Sequence, residues 1–179
     1  MAAWQGFYEE LATTRYPALL AYATLLTGDR ASGEDLLHDA LVRVFSRARR
    51  LESAHHAEAY VRRTLANLNM DRARSRAYAA RAAQRLDSQA PAPDHAAGID
   101  DRATMASALA KLPQQVRTCV VLRYYDDLTV TEVADRLGLA TGTVKRYLSD
   151  ARGLLGEYID APEADAETAP VLATERKRR

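Results

Sequence analysis

The chain has 179 residues and a mass of 19.8 kDa, room for one large domain or two small ones. Its 25 Lys+Arg against 24 Asp+Glu leave a formal net charge of +1, so bulk charge singles out no partner. A composition 47% hydrophobic and 27% charged excludes wholesale disorder, and the lone Cys119 excludes both an intramolecular disulfide framework and a cysteine-built zinc site.

Aromatics at 7% and only 8 Gly point to an all-α protein rather than a sandwich or barrel. No apolar run approaches the roughly 18 residues of a membrane span, and no basic-then-apolar leader opens the chain, so it reads as cytoplasmic. Lys111, Lys145 and Lys177 are lysine and all other basic residues arginine, which with abundant alanine fits a GC-rich genome.

The first predicted helix carries Tyr16, Leu19, Leu20, Ala23 and Leu26 at helical spacing and stops at Thr27-Gly28-Asp29. Ser32 is the expected N-cap of the next helix, ahead of Glu34 and Asp35, which suit the positive end of a helix dipole. Leu36, Leu37, Ala40, Leu41, Val44 and Phe45 form its apolar face. A third helix is expected from about Glu58 to Arg76, with Tyr60, Val61, Leu65 and Leu68 inward and most arginines on the opposite face.

Charge is unevenly distributed. Between Tyr60 and Arg85 seven arginines oppose the single acid Asp71, a local balance of +6. Residues 86–101 carry Asp87, Asp94, Asp100 and Asp101, with Pro91, Pro93 and Gly98 and no apolar period; this 16-residue stretch reads as a flexible linker. The last stretch is acidic and then ends in Arg176-Lys177-Arg178-Arg179, the composition of a disordered tail.

A second helical block follows. Met105, Leu109 and Leu112 precede Pro113, which ends one helix and opens another at its tolerated first turn. Val116, Val120, Val121 and Tyr124 continue the pattern, with Cys119 a small core residue among them. From Leu128 to Leu148 the chain resembles a helix-turn-helix. Thr129 or Thr131 caps the first helix, Val130, Val133 and Leu137 line one stripe, and Ala134 is small where the helices approach. Gly138 permits the turn, and Leu139 and Val144 pin the second helix. That recognition helix starts near Thr141 and presents Thr141, Thr143, Lys145, Arg146, Ser149 and Asp150, in position to meet base edges and phosphates of a major groove.

From about Phe7 to Tyr158 the chain resembles the extracytoplasmic-function sigma factors of the sigma-70 superfamily, of an actinobacterial, SigE-like type. The first block carries the resemblance in Tyr16-Pro17-Ala18-Leu19-Leu20, Leu26-Thr27-Gly28-Asp29, Glu34 to Ala40, Ala59-Tyr60-Val61, and Asn67 with Asp71. The second carries it in Leu112-Pro113, Arg117, Val121-Leu122-Arg123-Tyr124, Leu128-Thr129, Glu132-Val133-Ala134, Leu137-Gly138, Gly142 to Lys145, and Ala151-Arg152.

The resemblance implies two small helical domains on a flexible linker. Residues 5–85 would be region 2, which binds core RNA polymerase and recognises and melts the −10 element. Residues 86–101 would be the linker and residues 102–159 region 4, which reads the −35 element; residues 160–179 would be a disordered tail. The implied function is directing core polymerase to promoters in a stress or envelope response, without catalysis, cofactor or metal. Implied partners are the polymerase clamp coiled coil and flap, promoter DNA and an anti-sigma factor, with no membrane insertion.

Carried over by position, Asp35, His38 and Asp39 would meet polymerase. Arg62, Arg63, Asn67, Arg72, Arg74 and Arg76, with His55 and His56 on the loop before their helix, would serve the −10 element. Thr141, Thr143, Lys145, Arg146, Ser149 and Arg152 would serve the −35 element. The chain departs from the family pattern at Ala66 and Tyr60, where Arg and Trp are frequent, and at Arg146-Tyr147 and the acidic Asp150. A polymerase-independent helix-turn-helix regulator is the alternative reading, and the first block is what separates the two.

Overall fold

The computed structural model describes residue 9 and residues 11–46, 53–84 and 103–155. Within them a π-helical stretch, Leu11–Arg15, leads into α1 (Tyr16–Thr27), α2 (Arg30–Phe45) and the long α3 (Ala54–Gln84). The second block holds α4 (Ala103–Lys111), α5 (Gln114–Val120) with a π-helical continuation over Val121–Tyr125, α6 (Val130–Leu137) and α7 (Thr141–Leu155). The expected linker, residues 86–101, and the expected tail lie outside the described residues. No helix among those described is long and apolar enough to cross a membrane.

Each helix end has a local cause. α1 closes on Gly28, whose φ of +90° is left-handed and which donates its N–H to Thr24 O at 2.7 Å. α2 is capped by Asp29, whose carboxylate accepts from Ser32 N–H at 2.8 Å. The expectation of a Ser32 cap is thereby corrected: Ser32 supplies the capped amide, and the cap stands three residues earlier. That hydrogen bond holds the Asp29 carboxyl below the usual carboxylate range.

α3 also departs from expectation by beginning at Ala54 and running on to Gln84. Residues 77–83 are alanine-rich and contain no breaker before Pro91, so nothing stops the helix at Arg76. Consequently His55 and His56 stand in the first turn of α3 rather than on a loop, both exposed. Tyr60, expected inward, is 48% exposed, while Ala66, Asn69 and Met70 take buried positions along with Val61 and Leu65. Tyr16, Met105 and Tyr124 also lie at the surface despite their place in the apolar pattern.

Two cores result, and they meet. The first gathers Leu19, Leu26, Leu36, Leu37, Val44, Val61 and Leu65 from α1 to α3, and also takes in Val121 of the second block. The second gathers Leu112, Val116, Leu122, Val133, Leu137, Val144 and Leu148, and takes in Ala66 and Met70 of α3. The two helical modules read from the sequence are therefore present and packed on each other, an arrangement the sequence left open.

Candidate nucleic-acid and polymerase interface

The helix-turn-helix is built residue by residue as its spacing suggests. Thr129 accepts at its hydroxyl from Glu132 N–H (3.2 Å) while the Glu132 carboxylate accepts from Thr129 N–H (2.8 Å), a reciprocal capping box at the start of α6. That bond holds the Glu132 carboxyl below its ordinary value. Val133, Ala134 and Leu137 are buried, and Gly138 turns the chain with φ +61° and no atom near enough to crowd a Cβ. α7 then starts at Thr141, with Val144, Leu148, Ala151 and Leu155 inward.

Opposite that buried stripe, Thr141, Lys145, Arg146, Ser149 and Asp150 are exposed, and Thr143 and Arg152 half-buried. The Arg146 guanidinium lies 5.4 Å from the Tyr147 ring centroid, and Tyr147 in turn donates its hydroxyl to Gln115 Oε1 at 2.7 Å. Arg146 is thus braced on a ring that is itself fixed to α5, which limits the rotamer freedom it loses on binding. The cationic side of the helix-turn-helix faces outward.

In the first block Asp35, His38 and Asp39 are exposed along one side of α2, joined there by the exposed Val42. Leu36, Leu37 and Ala40 on the other side anchor the helix, so the polar row is displayed on a rigid support. Asp39 pairs with Arg72 of α3, which couples the acidic row to the arginine-rich helix.

The α3 residues are less uniform. Arg63 is exposed and free to meet phosphate, but Arg62, Arg74 and Arg76 make contacts with the second block. Arg62 lies 5.1 Å from the Tyr22 ring centroid and 5.7 Å from that of Tyr125, with Asp126 at 3.8 Å and Glu58 at 3.3 Å. Arg74 donates to Leu137 O at 2.9 Å, and Arg76 donates to Gln114 Oε1. Asn67 borders a cleft of about 450 Å³ between α3 and α6, lined also by Tyr60, Thr64, Arg74, Arg136 and Leu137. Its Oδ1 is buried with no hydrogen-bond partner among the described residues.

Several residues at the junction were given no role from sequence. Arg117, 5% exposed, donates to five carbonyls: Leu26 and Thr27 at the end of α1, and Leu109, Ala110 and Leu112 around the end of α4. Burial lowers its guanidinium to about 10, with Asp29 opposing the shift, so it stays charged at neutral pH. A Cβ on Gly28 would lie 2.5 Å from Arg117 Nη1, so glycine at this position serves both the turn and the close approach.

Tyr22, fully buried, donates its hydroxyl to Asp126 Oδ2 at 2.7 Å; burial first, then the Asp126 carboxylate, push its phenol far up. Asn69 donates to Leu26 O and Thr118 Oγ1 and accepts from Gln114. No spacing in the sequence marks these buried polar side chains, which find their partners only across the fold.

Among the described residues no cluster of three or more His, Cys, Asp or Glu is arranged to hold a metal. Cys119 is buried in the second core, and burial pushes its thiol up to about 12.

Comparison with known proteins agrees in both blocks. Residues 11–78 match the family model described as sigma-70 region 2, and residues 102–155 match sigma-70, region 4. The chain is 34% identical over 172 residues to the RNA polymerase sigma-E factor of Streptomyces coelicolor, covering 96% of this chain and 94% of that one. It is 30% identical to the ECF RNA polymerase sigma factor SigL of Mycobacterium tuberculosis, covering 82% and 83%. Among solved structures it is similar to the sigma factor RpoE of Bartonella quintana, solved in complex with the anti-sigma factor NepR. The TM-score is 0.56 at 26% identity, over 88% of this chain and 99% of that one. With an exposed acidic helix, an arginine-rich helix and a helix-turn-helix in family order, the chain belongs to the sigma-70 family, among the extracytoplasmic-function RNA polymerase sigma factors.

Proposed function

We propose that this sigma factor works as a non-catalytic, cytoplasmic promoter-specificity subunit, with its roles divided between the two blocks. Asp35, His38 and Asp39 of α2 pair with basic side chains of the polymerase clamp coiled coil. A rim of exposed acids and a neutral donor on a rigid helix suits such a partner. Arg62, Arg63, Arg72, Arg74 and Arg76 draw in the phosphates of the −10 element, a salt-dependent and sequence-independent attraction. Asn67, with His55 and His56 at the start of α3, serves the base that leaves the stack on melting. Thr141, Thr143, Lys145, Arg146, Ser149 and Arg152 of α7 serve the −35 element, and the second block also touches the polymerase flap. An anti-sigma factor is the regulatory partner this reading expects.

The observation that carries the proposal is the outward cationic side of α7 on a correctly capped helix-turn-helix, in one chain with the acidic row of α2. The test is assembly with core RNA polymerase, followed by gel filtration. The wild-type chain co-elutes with core enzyme, and Asp39→Arg, which reverses charge at an exposed position, weakens that assembly while far-UV circular dichroism stays unchanged. Tight duplex binding without any assembly would instead identify a polymerase-independent regulator.

A further inference from the structure

The cleft of about 450 Å³ between α3 and α6 gathers charges that the protein leaves unanswered. Arg43, exposed near the end of α2, and Arg136, half-buried in the last turn of α6, both line it. Neither guanidinium has a hydrogen-bond or ion-pair partner among the described residues. Glu132, one turn before Arg136, is committed to the capping box with Thr129. Arg74 adds a third cation, held in place by Leu137 O. A half-buried guanidinium without a counterion is unfavourable, and an anion arriving from solvent relieves it.

The rest of the cleft calls for donors rather than charge. Asn67 Oδ1 is buried and unsatisfied, so it lacks an N–H or O–H. The Thr64 hydroxyl donates to Tyr60 O at 2.8 Å, which leaves its oxygen to accept. The Asp135 carboxylate, exposed at the rim, is a further acceptor, while Asp71 is already paired with Arg74 at 3.5 Å. Beside them the half-exposed Tyr60 offers a ring on which a flat group can stack.

These two halves lie in order along one helix. Asn67 and Arg74 are seven residues apart, which is two turns and about 10 Å on the same face of α3. An aromatic end lined by acceptors and an arginine-lined end at that separation match a base with its amino groups, a ribose and a phosphate chain. The volume falls within the roughly 300–1,000 Å³ usual for small-ligand sites.

The geometry points to a binding site for a free nucleotide bearing two or three phosphates, its base against Tyr60 and Asn67 and its phosphates among Arg43, Arg74 and Arg136. Asn67 and Arg74 are shared with the −10 set proposed above, whereas Arg43 and Arg136 belong to neither proposed DNA surface. A single DNA strand carries the same chemistry with one phosphate per unit, and three arginines around one cleft favour the phosphate chain of a free nucleotide. The site needs neither polymerase nor promoter, so it stands apart from the sigma-factor reading.

The test is isothermal titration calorimetry of the full chain with GTP, ATP, guanosine, inorganic pyrophosphate and a single-stranded DNA of mixed sequence. At least one of the two nucleotides binds with a stoichiometry of one per chain. Guanosine and pyrophosphate each bind about tenfold more weakly or worse, since each makes only half of the contacts. Arg136→Ala and Arg43→Ala each lower nucleotide affinity by roughly tenfold, as loss of one charge-assisted hydrogen bond does. Asn67→Ala weakens the nucleotide and leaves pyrophosphate unchanged. Arg81→Ala, exposed on α3 and outside the cleft lining, changes neither. Far-UV circular dichroism confirms that each variant is folded, and neither Arg43 nor Arg136 belongs to a core.

Pyrophosphate binding as tightly as both nucleotides marks a bare anion patch. Nucleotide binding unmoved in both arginine variants places the ligand elsewhere. A strand that binds where no free nucleotide does assigns the cleft to DNA alone. Each of these outcomes, like the absence of all nucleotide binding, overturns the proposal. None of them bears on assembly with core polymerase, by which the sigma-factor reading is judged.

Discussion

Arg117→Ala tests the junction most severely, because one buried guanidinium serves carbonyls from two helix ends. Its loss does not orphan all five acceptors. Leu26 O keeps the Asn69 amide at 3.0 Å and Leu109 O keeps the Leu112 N–H at 3.0 Å. The Leu112 O contact, at 3.4 Å, is long and weak. Thr27 O and Ala110 O remain, at 2.5 and 2.9 Å, as strong acceptors with no other partner described. Hydrogen bonds to a charged donor are each worth about 1.5–3 kcal/mol, so two of them, tempered by water reaching the half-buried Thr27 and Ala110, set the loss at about 3–5 kcal/mol.

Urea denaturation followed by circular dichroism measures it directly. At about 2–4 °C per kcal/mol for a chain of this size, the melting temperature falls by roughly 6–20 °C. Arg117→Lys restores only a minor part, since one ammonium cannot reach both helix ends as the fork does. A loss below about 1 kcal/mol would refute the claim that this side chain ties α1, α4 and α5 together.

Other expectations follow from single sites. Thr129→Ala removes half of the capping box on the eight-residue α6 and lowers stability by about 1 kcal/mol by thermal melting, with Thr129→Ser nearly neutral. Glu132 has a depressed folded pKa, so its support is fully present above its unfolded value, in the ordinary carboxylate range, and is lost as pH falls through the folded one. Glu132→Gln should therefore flatten the acid limb of the stability profile.

Tyr22 has the opposite sign: its raised folded pKa keeps its support intact below about pH 10, the unfolded value, and lets it fade at higher pH. Tyr22→Phe flattens the alkaline limb. Cys119, buried and shifted up to about 12, should react with a thiol reagent only at the rate of global opening, and rapid labelling of native protein would contradict its place in the core. Lys145→Ala and Arg146→Ala each weaken −35 duplex binding by ~1–3 kcal/mol if they reach bases, and mobility shifts unchanged for both would remove them from the interface.

The parts of this molecule set by local chemistry were legible in its sequence. Periodicity placed α1 and α2, and the helix-turn-helix was read to a cap at Thr129 or Thr131, of which the fold uses Thr129, to its turn at Gly138 and to a start near Thr141. The misreadings also have local causes. Asp29 follows Gly28 and was counted in the stop signal of α1, although its carboxylate caps α2. α3 overran its expected end because an alanine-rich stretch continues any helix that nothing breaks. Tyr60 points outward, the buried positions of that stretch being taken by Ala57, Val61 and Leu65.

Pairings distant in sequence were not legible. Tyr22 with Asp126 spans 104 positions, and Arg117 with Leu26 spans 91. No repeat or spacing announces such a contact. The sequence displayed two modules with separate motifs, and their close packing became visible only when those polar partners came together. Hence Thr141, Lys145, Arg146 and Ser149 of α7 lie at the surface and Thr143 and Arg152 are half-buried, while Arg62, Arg74 and Arg76 of α3 proved to contact the second block.

The most direct measurement is run-off transcription from a library of promoter fragments, with core RNA polymerase and the purified chain as the sole specificity subunit. The account predicts discrete transcripts that require the added chain, start a fixed distance downstream of a shared sequence pair, and weaken when Lys145 and Arg146 are replaced. Duplex binding without any chain-dependent transcript would contradict it.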